Sequence, residues 1–134
     1  MRWGHSYEAV SAELSLLQWV LQRVISGEIG IATCMNPRLG AWLDYFFKGG
    51  GGAAGDPDFE IYHVPASGGL GSFEVYASDE FSGIGLERAT YPAEEVVDAL
   101  TQLLVSYGAT YPKDKHVIDK ILARMPAYRE QLRS

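Results

Sequence analysis

The chain has a single cysteine, Cys34, among its 134 residues. An internal disulfide framework is thereby excluded, and a reducing compartment, the cytoplasm, is the simpler expectation. No apolar run reaches the roughly 18 residues of a membrane-spanning helix. The stretch after Met1-Arg2-Trp3-Gly4-His5-Ser6 also lacks the unbroken apolar core of a secretory signal, because Glu8, Glu13, Gln18, Gln22 and Arg23 interrupt it. Positive charge is missing from the middle of the chain. Residues 56–98 carry ten carboxylates against Arg88 alone, a net of −9, whereas residues 1–55 balance to zero and residues 99–134 sum to +3. The overall charge of −6 argues against nucleic acid and against anionic membrane surfaces as partners. What is present is a core: 47% hydrophobic and 12% aromatic residues are far from the composition of a disordered chain, and the length suits one domain spanning residues 1–134.

Periodicity predicts an α+β fold, a small antiparallel sheet of three or four strands packed on one face by about four helices. A first helix is expected from about Tyr7 to Ser26, with Val10, Leu14, Leu17, Leu21 and Val24 on one face and Ser6 as N-cap. Glu28–Met35 fits either a short strand or a helical connection. Asn36-Pro37 then opens a short helix whose apolar face is Leu39, Trp42, Leu43, Phe46 and Phe47. Residues 48–57, from Lys48 to Pro57 and rich in glycine, read as a flexible loop. They do not form a phosphate loop, which needs Gly-Lys-Ser/Thr at its end and a helix after it.

Strands are expected at Phe59–Val64, Ser72–Ala77 and Ile84–Ala89, separated by turn residues. Pro92, Glu94 and Glu95 suit the first turn of a third helix with Val96, Val97, Leu100, Leu103, Leu104 and Tyr107 inward and Gly108 as its stop. A fourth helix follows Asp114, burying Val117, Ile118, Ile121 and Leu122. Pro126 should end or kink it before a last turn through Leu132.

Catalytic and metal chemistry finds little footing. Cys34 lies among Ala32, Thr33 and Met35, the setting of a small buried hydrophobe rather than a nucleophile. His5, His63 and His116 are not at ligand spacing, and His63 in an apolar strand reads as a hydrogen-bonded structural histidine. Asp56-Pro57-Asp58-Phe59-Glu60 lacks the glycine and distal glutamate of a calcium loop and reads as a turn. No metal or cofactor is expected, and no catalytic residue is assigned.

Strand alternation makes the stronger suggestion. If Ile61, Phe73, Val75 and Leu86 face the helices, the opposite face presents Glu60, Tyr62, Glu74, Tyr76 and Glu87, with Asp79 and Glu80 in the adjoining turn. The same alternation fits an ordinary solvated sheet face; against that reading, tyrosine is a favoured interface anchor, and carboxylates around it complement a basic partner. Ser72-Phe73-Glu74-Val75-Tyr76, Gly83-Ile84-Gly85-Leu86-Glu87 and Tyr91-Pro92-Ala93-Glu94-Glu95-Val96-Val97-Asp98-Ala99-Leu100 together resemble the hairpin and helix of small bacterial immunity proteins of contact-dependent inhibition and related polymorphic toxin systems. The resemblance spans residues 72–100 and implies a non-enzymatic cytoplasmic inhibitor of a cognate toxin domain, frequently a basic nuclease. Two other readings stand beside it. One is an enzyme or small-ligand protein with a pocket lined by Trp19, Trp42 and Tyr107. The other is a homo-oligomeric adaptor in which Lys113, Lys115, Lys120, Arg124, Arg129 and Arg133 meet the acidic centre of another copy.

Overall fold

The computed structural model describes residues 11–26, 39–48, 50–55 and 59–133. Its elements run α1 (Ala12–Ser26), α2 (Leu39–Phe46), β1 (Gly52–Gly55), β2 (Phe59–Val64), β3 (Ser72–Ala77), α3 (Asp79–Ser82), β4 (Arg88–Pro92), α4 (Ala93–Thr110), a 3₁₀ turn (Pro112–Asp114) and α5 (Lys115–Gln131). The α+β expectation is met. The four strands form one antiparallel sheet in the order β1-β2-β3-β4, and the helices pack on one of its faces.

The two-residue period of β2 and β3 sets this arrangement. Phe59, Ile61 and His63 of β2 and Phe73, Val75 and Ala77 of β3 are buried, and the residues between them are more exposed. The buried face meets α1 and α4. Leu16, Leu17, Val20, Leu21 and Val24 of α1 and Val96, Val97, Leu100 and Leu104 of α4 complete the core. Each such side chain stabilises the fold by about 1.5–3 kcal/mol when fully buried. Tyr91 ties the sheet to α1 by donating its hydroxyl hydrogen bond to the backbone carbonyl of Glu13.

Several element boundaries differ from the sequence expectation. α1 begins at Ala12, where the Ser11 hydroxyl accepts from the Leu14 amide at 3.1 Å and so serves as the N-cap. The expected cap Ser6 lies outside the described residues, as do Glu28–Met35 with Cys34, and Asn36-Pro37. The glycine-rich loop is not all connector. Gly52–Gly55 pair with Phe59–Tyr62 as the edge strand β1. The expected strand Ile84–Ala89 is displaced to Arg88–Pro92. Gly83 and Gly85 adopt φ of 68° and 90°, which breaks an extended run, and residues 83–87 form a loop instead. Pro92 closes β4 with φ −56° and ψ 140°, one residue before the helix it was expected to open. α4 also runs past Gly108 to Thr110. The small residue is buried there against the Ile118 side chain, so its role is helix packing rather than termination. α5 passes through Pro126 to Gln131, held by Ile118, Ile121, Met125 and Tyr128 in the core.

Candidate protein-binding surface

The face of the sheet turned away from α1 and α4 is set by register. Glu60 stands opposite Tyr76, and Tyr62 opposite Glu74. Two tyrosines and two glutamates therefore alternate across β2 and β3, at the spacing where cross-strand side chains touch. The four residues expected on this surface from β2 and β3 are thus brought together. Tyr62 is 40% exposed, and Val64 beside it on the same strand is also exposed.

The third strand of this face was misplaced by sequence reasoning, and the surface changes accordingly. Glu87 is not on it. Its backbone carbonyl accepts from the Ala77 amide at 2.9 Å, and its carboxylate turns into the loop to accept from the Asp79 amide at 2.9 Å. The positions flanking β3 are filled by Arg88, opposite Tyr76, and Thr90, opposite Glu74. Thr90 donates to the Glu74 carboxylate at 2.8 Å, and the Arg88 guanidinium lies 4.8 Å from the centre of the Tyr76 ring, a cation–π contact. The face is therefore acidic and aromatic with one cation at its margin. Polar–apolar alternation in Arg88-Ala89-Thr90-Tyr91 is the signal that could have located β4, and reading Pro92 as the start of a helix hides it.

Asp79 and Glu80 are exposed on α3, at the end of the sheet where Glu60 and Tyr76 lie. The Asp79 carboxylate accepts from the Gly85 amide at 2.5 Å, so it braces the loop as well as charging it. Asp56 and Asp58 lie outside the described residues.

The ion pairs of the described residues lie elsewhere. Among the described residues the ion pairs are Lys115–Asp119, Arg124–Asp44, Arg129–Glu94, Arg129–Glu130 and Arg133–Glu130. Every one draws its cation from the C-terminal segment. Glu60, Glu74, Asp79, Glu80 and Glu87 enter none of them.

The other candidate sites resolve into packing. His63 is 2% exposed; its Nε2 lies 2.6 Å from the Leu70 carbonyl, and the Gly50 amide donates to Nδ1 at 3.4 Å. Both ring nitrogens thus have structural partners, as its strand position suggested. His116 is exposed on α5, and His5 is outside the described residues. Among the described residues no group of three His, Cys, Asp or Glu side chains is placed to hold a metal ion. Trp19 and Tyr107 pack against the core, and the Trp42 side chain lies outside those described. An open depression of about 430 Å³ is lined instead by Asp44, Lys48, Arg124 and Gln131, where Asp44 and Arg124 bond each other. No described helix is long and apolar enough to cross a membrane.

No protein-family model, curated protein or solved structure matches this chain.

Proposed function

We propose that this chain is a non-enzymatic protein-binding module of the immunity type, which neutralises a cognate toxin domain with a basic, nuclease-like surface. The observation that carries the proposal is the Glu60–Tyr76 and Tyr62–Glu74 checkerboard on the sheet face turned away from α1 and α4, with carboxylates that no cation pairs among the described residues. A sheet holds these side chains in place before a partner arrives, so little ordering entropy opposes binding. Tyrosine supplies contact area, and the carboxylates steer a cationic surface toward it. The resemblance of residues 72–100 to immunity proteins of bacterial toxin systems points the same way, to a cytoplasmic inhibitor.

The test is binding and inhibition measured with basic, nuclease-type toxin domains, beginning with any encoded beside this chain. Glu60→Lys with Glu74→Lys is expected to slow association by about tenfold at low salt and to flatten its salt dependence. Tyr62→Ala is expected to cost about 2 kcal/mol, mostly as faster dissociation. A complex whose association and dissociation rates ignore all three substitutions would remove this face from the proposal; absence of both complex and inhibition would overturn the proposal itself.

A further inference from the structure

α3 buries none of its residues. Its one large apolar side chain, Phe81, is 52% exposed, while Ile84 and Leu86 of the same loop pack against the core. The ring does not sit on a loose tip. The Phe81 and Ser82 amides donate to the Ser78 carbonyl at 3.1 and 2.9 Å, and the Gly83 amide donates to the Asp79 carbonyl at 2.9 Å. The Asp79 and Glu87 carboxylates bind the Gly85 and Asp79 amides, and the Ser82 hydroxyl accepts from the Ile84 amide at 3.3 Å. A phenyl ring is thus held out into solvent by an ordered loop.

Its charged neighbours on α3 and in the loop are acidic. Asp79 and Glu80 precede it on α3 and Glu87 is bonded back to Asp79, while Arg88, the first cation after residues 49–87, lies over the Tyr76 ring. A partner that buries Phe81 must bring the rim of its pocket close to these three carboxylates. An acidic rim would be repelled, and a neutral one would strip water from the carboxylates without replacing it. A cationic rim alone satisfies both the ring and the charges. We propose that Phe81 is an interface anchor that inserts into an apolar socket rimmed by Lys and Arg on a basic protein. This rests on the reading of the chain as a protein-binding module, and it places an anchor outside the sheet face.

A minimal mimic of such a socket is per-amino-β-cyclodextrin, an apolar cavity with an ammonium rim, titrated into the full chain and followed by NMR. Shifts of the Phe81 ring protons are expected. Affinity should fall at least about tenfold for Phe81→Ala, a 1.4 kcal/mol loss. It should also fall for Glu80→Lys and for neutral β-cyclodextrin. Thermal unfolding of both variants should match the parent, because both side chains are exposed. Equal affinity of the Phe81→Ala variant would overturn the proposal, since the host would then be held by charge alone, the carboxylates serving only to keep an exposed ring soluble. The toxin-domain assay separates the two surfaces. A complex weakened about thirtyfold by Phe81→Ala supports the anchor, even if Tyr62→Ala is silent and the sheet face is thereby excluded. A complex that loses affinity with Tyr62→Ala and keeps it with Phe81→Ala overturns the anchor and leaves the sheet-face reading standing.

Discussion

Gly51 and Gly52 mark the join between α2 and the sheet, where space is smallest. A Cβ on Gly51 would lie 1.9 Å from the backbone carbonyl oxygen of Tyr45, and one on Gly52 would lie 2.2 Å from that of Ile61. Both obstacles are backbone, so neither can swing aside. The Gly51 amide also donates to the Lys48 carbonyl, and its own carbonyl accepts from the His63 amide, each at 2.7 Å. The glycine run is therefore a close-approach motif that seats β1 against β2. Gly51→Ala is expected to destabilise the fold by about 2 kcal/mol or more, the range of substitutions that force a backbone shift. At Gly40, inside α2, a Cβ would meet nothing within 4 Å. Gly40→Ala should instead stabilise by about 0.5–1 kcal/mol through helix propensity. Urea denaturation of the two variants checks the pair; equal effects would show that chain flexibility, not contact, governs both sites. A string of glycines in sequence reads as looseness, and only the neighbouring backbone reveals that some of them are there for lack of room.

At the scale of elements, what was legible followed from periodicity. β2 and β3 fell where alternation placed them, because each buries one face only, and that alternation was enough to set Glu60, Tyr62, Glu74 and Tyr76 on a common surface. β4 was not legible in the same way. Side-chain bonds from Asp79 and Glu87 hold Ile84–Glu87 in a loop, and such bonds leave no trace in a hydrophobic pattern. Nor did any pattern announce the joint between α2 and α5. There Tyr128 donates to Asp44 at 3.0 Å, stacks on Phe47 at 5.0 Å between ring centres, and lies under Arg124, which donates to the same carboxylate oxygen at 2.8 Å. Burial, and then the hydrogen bond to Asp44, push the Tyr128 hydroxyl from its ordinary 10 up to about 12. Between those values the unfolded chain has released this proton and the folded chain still holds it. Stability is therefore present below pH 10 and falls as pH rises toward 12. Tyr91 is raised by its own burial and contributes with the same sign. Tyr128→Phe should lose about 1 kcal/mol at neutral pH, the value of one hydrogen bond, and show a shallower decline in alkali. Urea midpoints measured across this range decide it: parallel curves for parent and variant would mean that Tyr128 does not couple folding to protonation.

At the scale of the molecule, the fold divides its charges. The C-terminal cations look available in sequence, but Arg124 and Arg129 reach back across the chain to Asp44 and Glu94, while Lys115 and Arg133 pair within their own segment. Only Lys113 and Lys120 of that basic set enter no ion pair among the described residues. Of the central carboxylates Glu94 is paired in this way, whereas Glu60, Glu74, Asp79, Glu80 and Glu87 enter no ion pair among the described residues. Association between the acidic centre of one copy and the basic end of another would therefore exchange ion pairs already made for equivalent ones. Exposed pairs are worth about 0–1 kcal/mol each, so the exchange gains almost nothing against the entropy of association. A net charge of −6 adds repulsion between copies. The chain is expected to scatter light as a monomer at both low and high salt, in contrast to its salt-sensitive association with a basic partner. A dimer present at low salt and dissolved by high salt would contradict this, because it would show the intramolecular pairs giving way to the central carboxylates of a second copy. Monomeric behaviour in both conditions leaves Glu60, Glu74, Asp79, Glu80 and Glu87 without an ion-pair partner among the described residues, the condition under which a cationic protein surface becomes their natural counterpart.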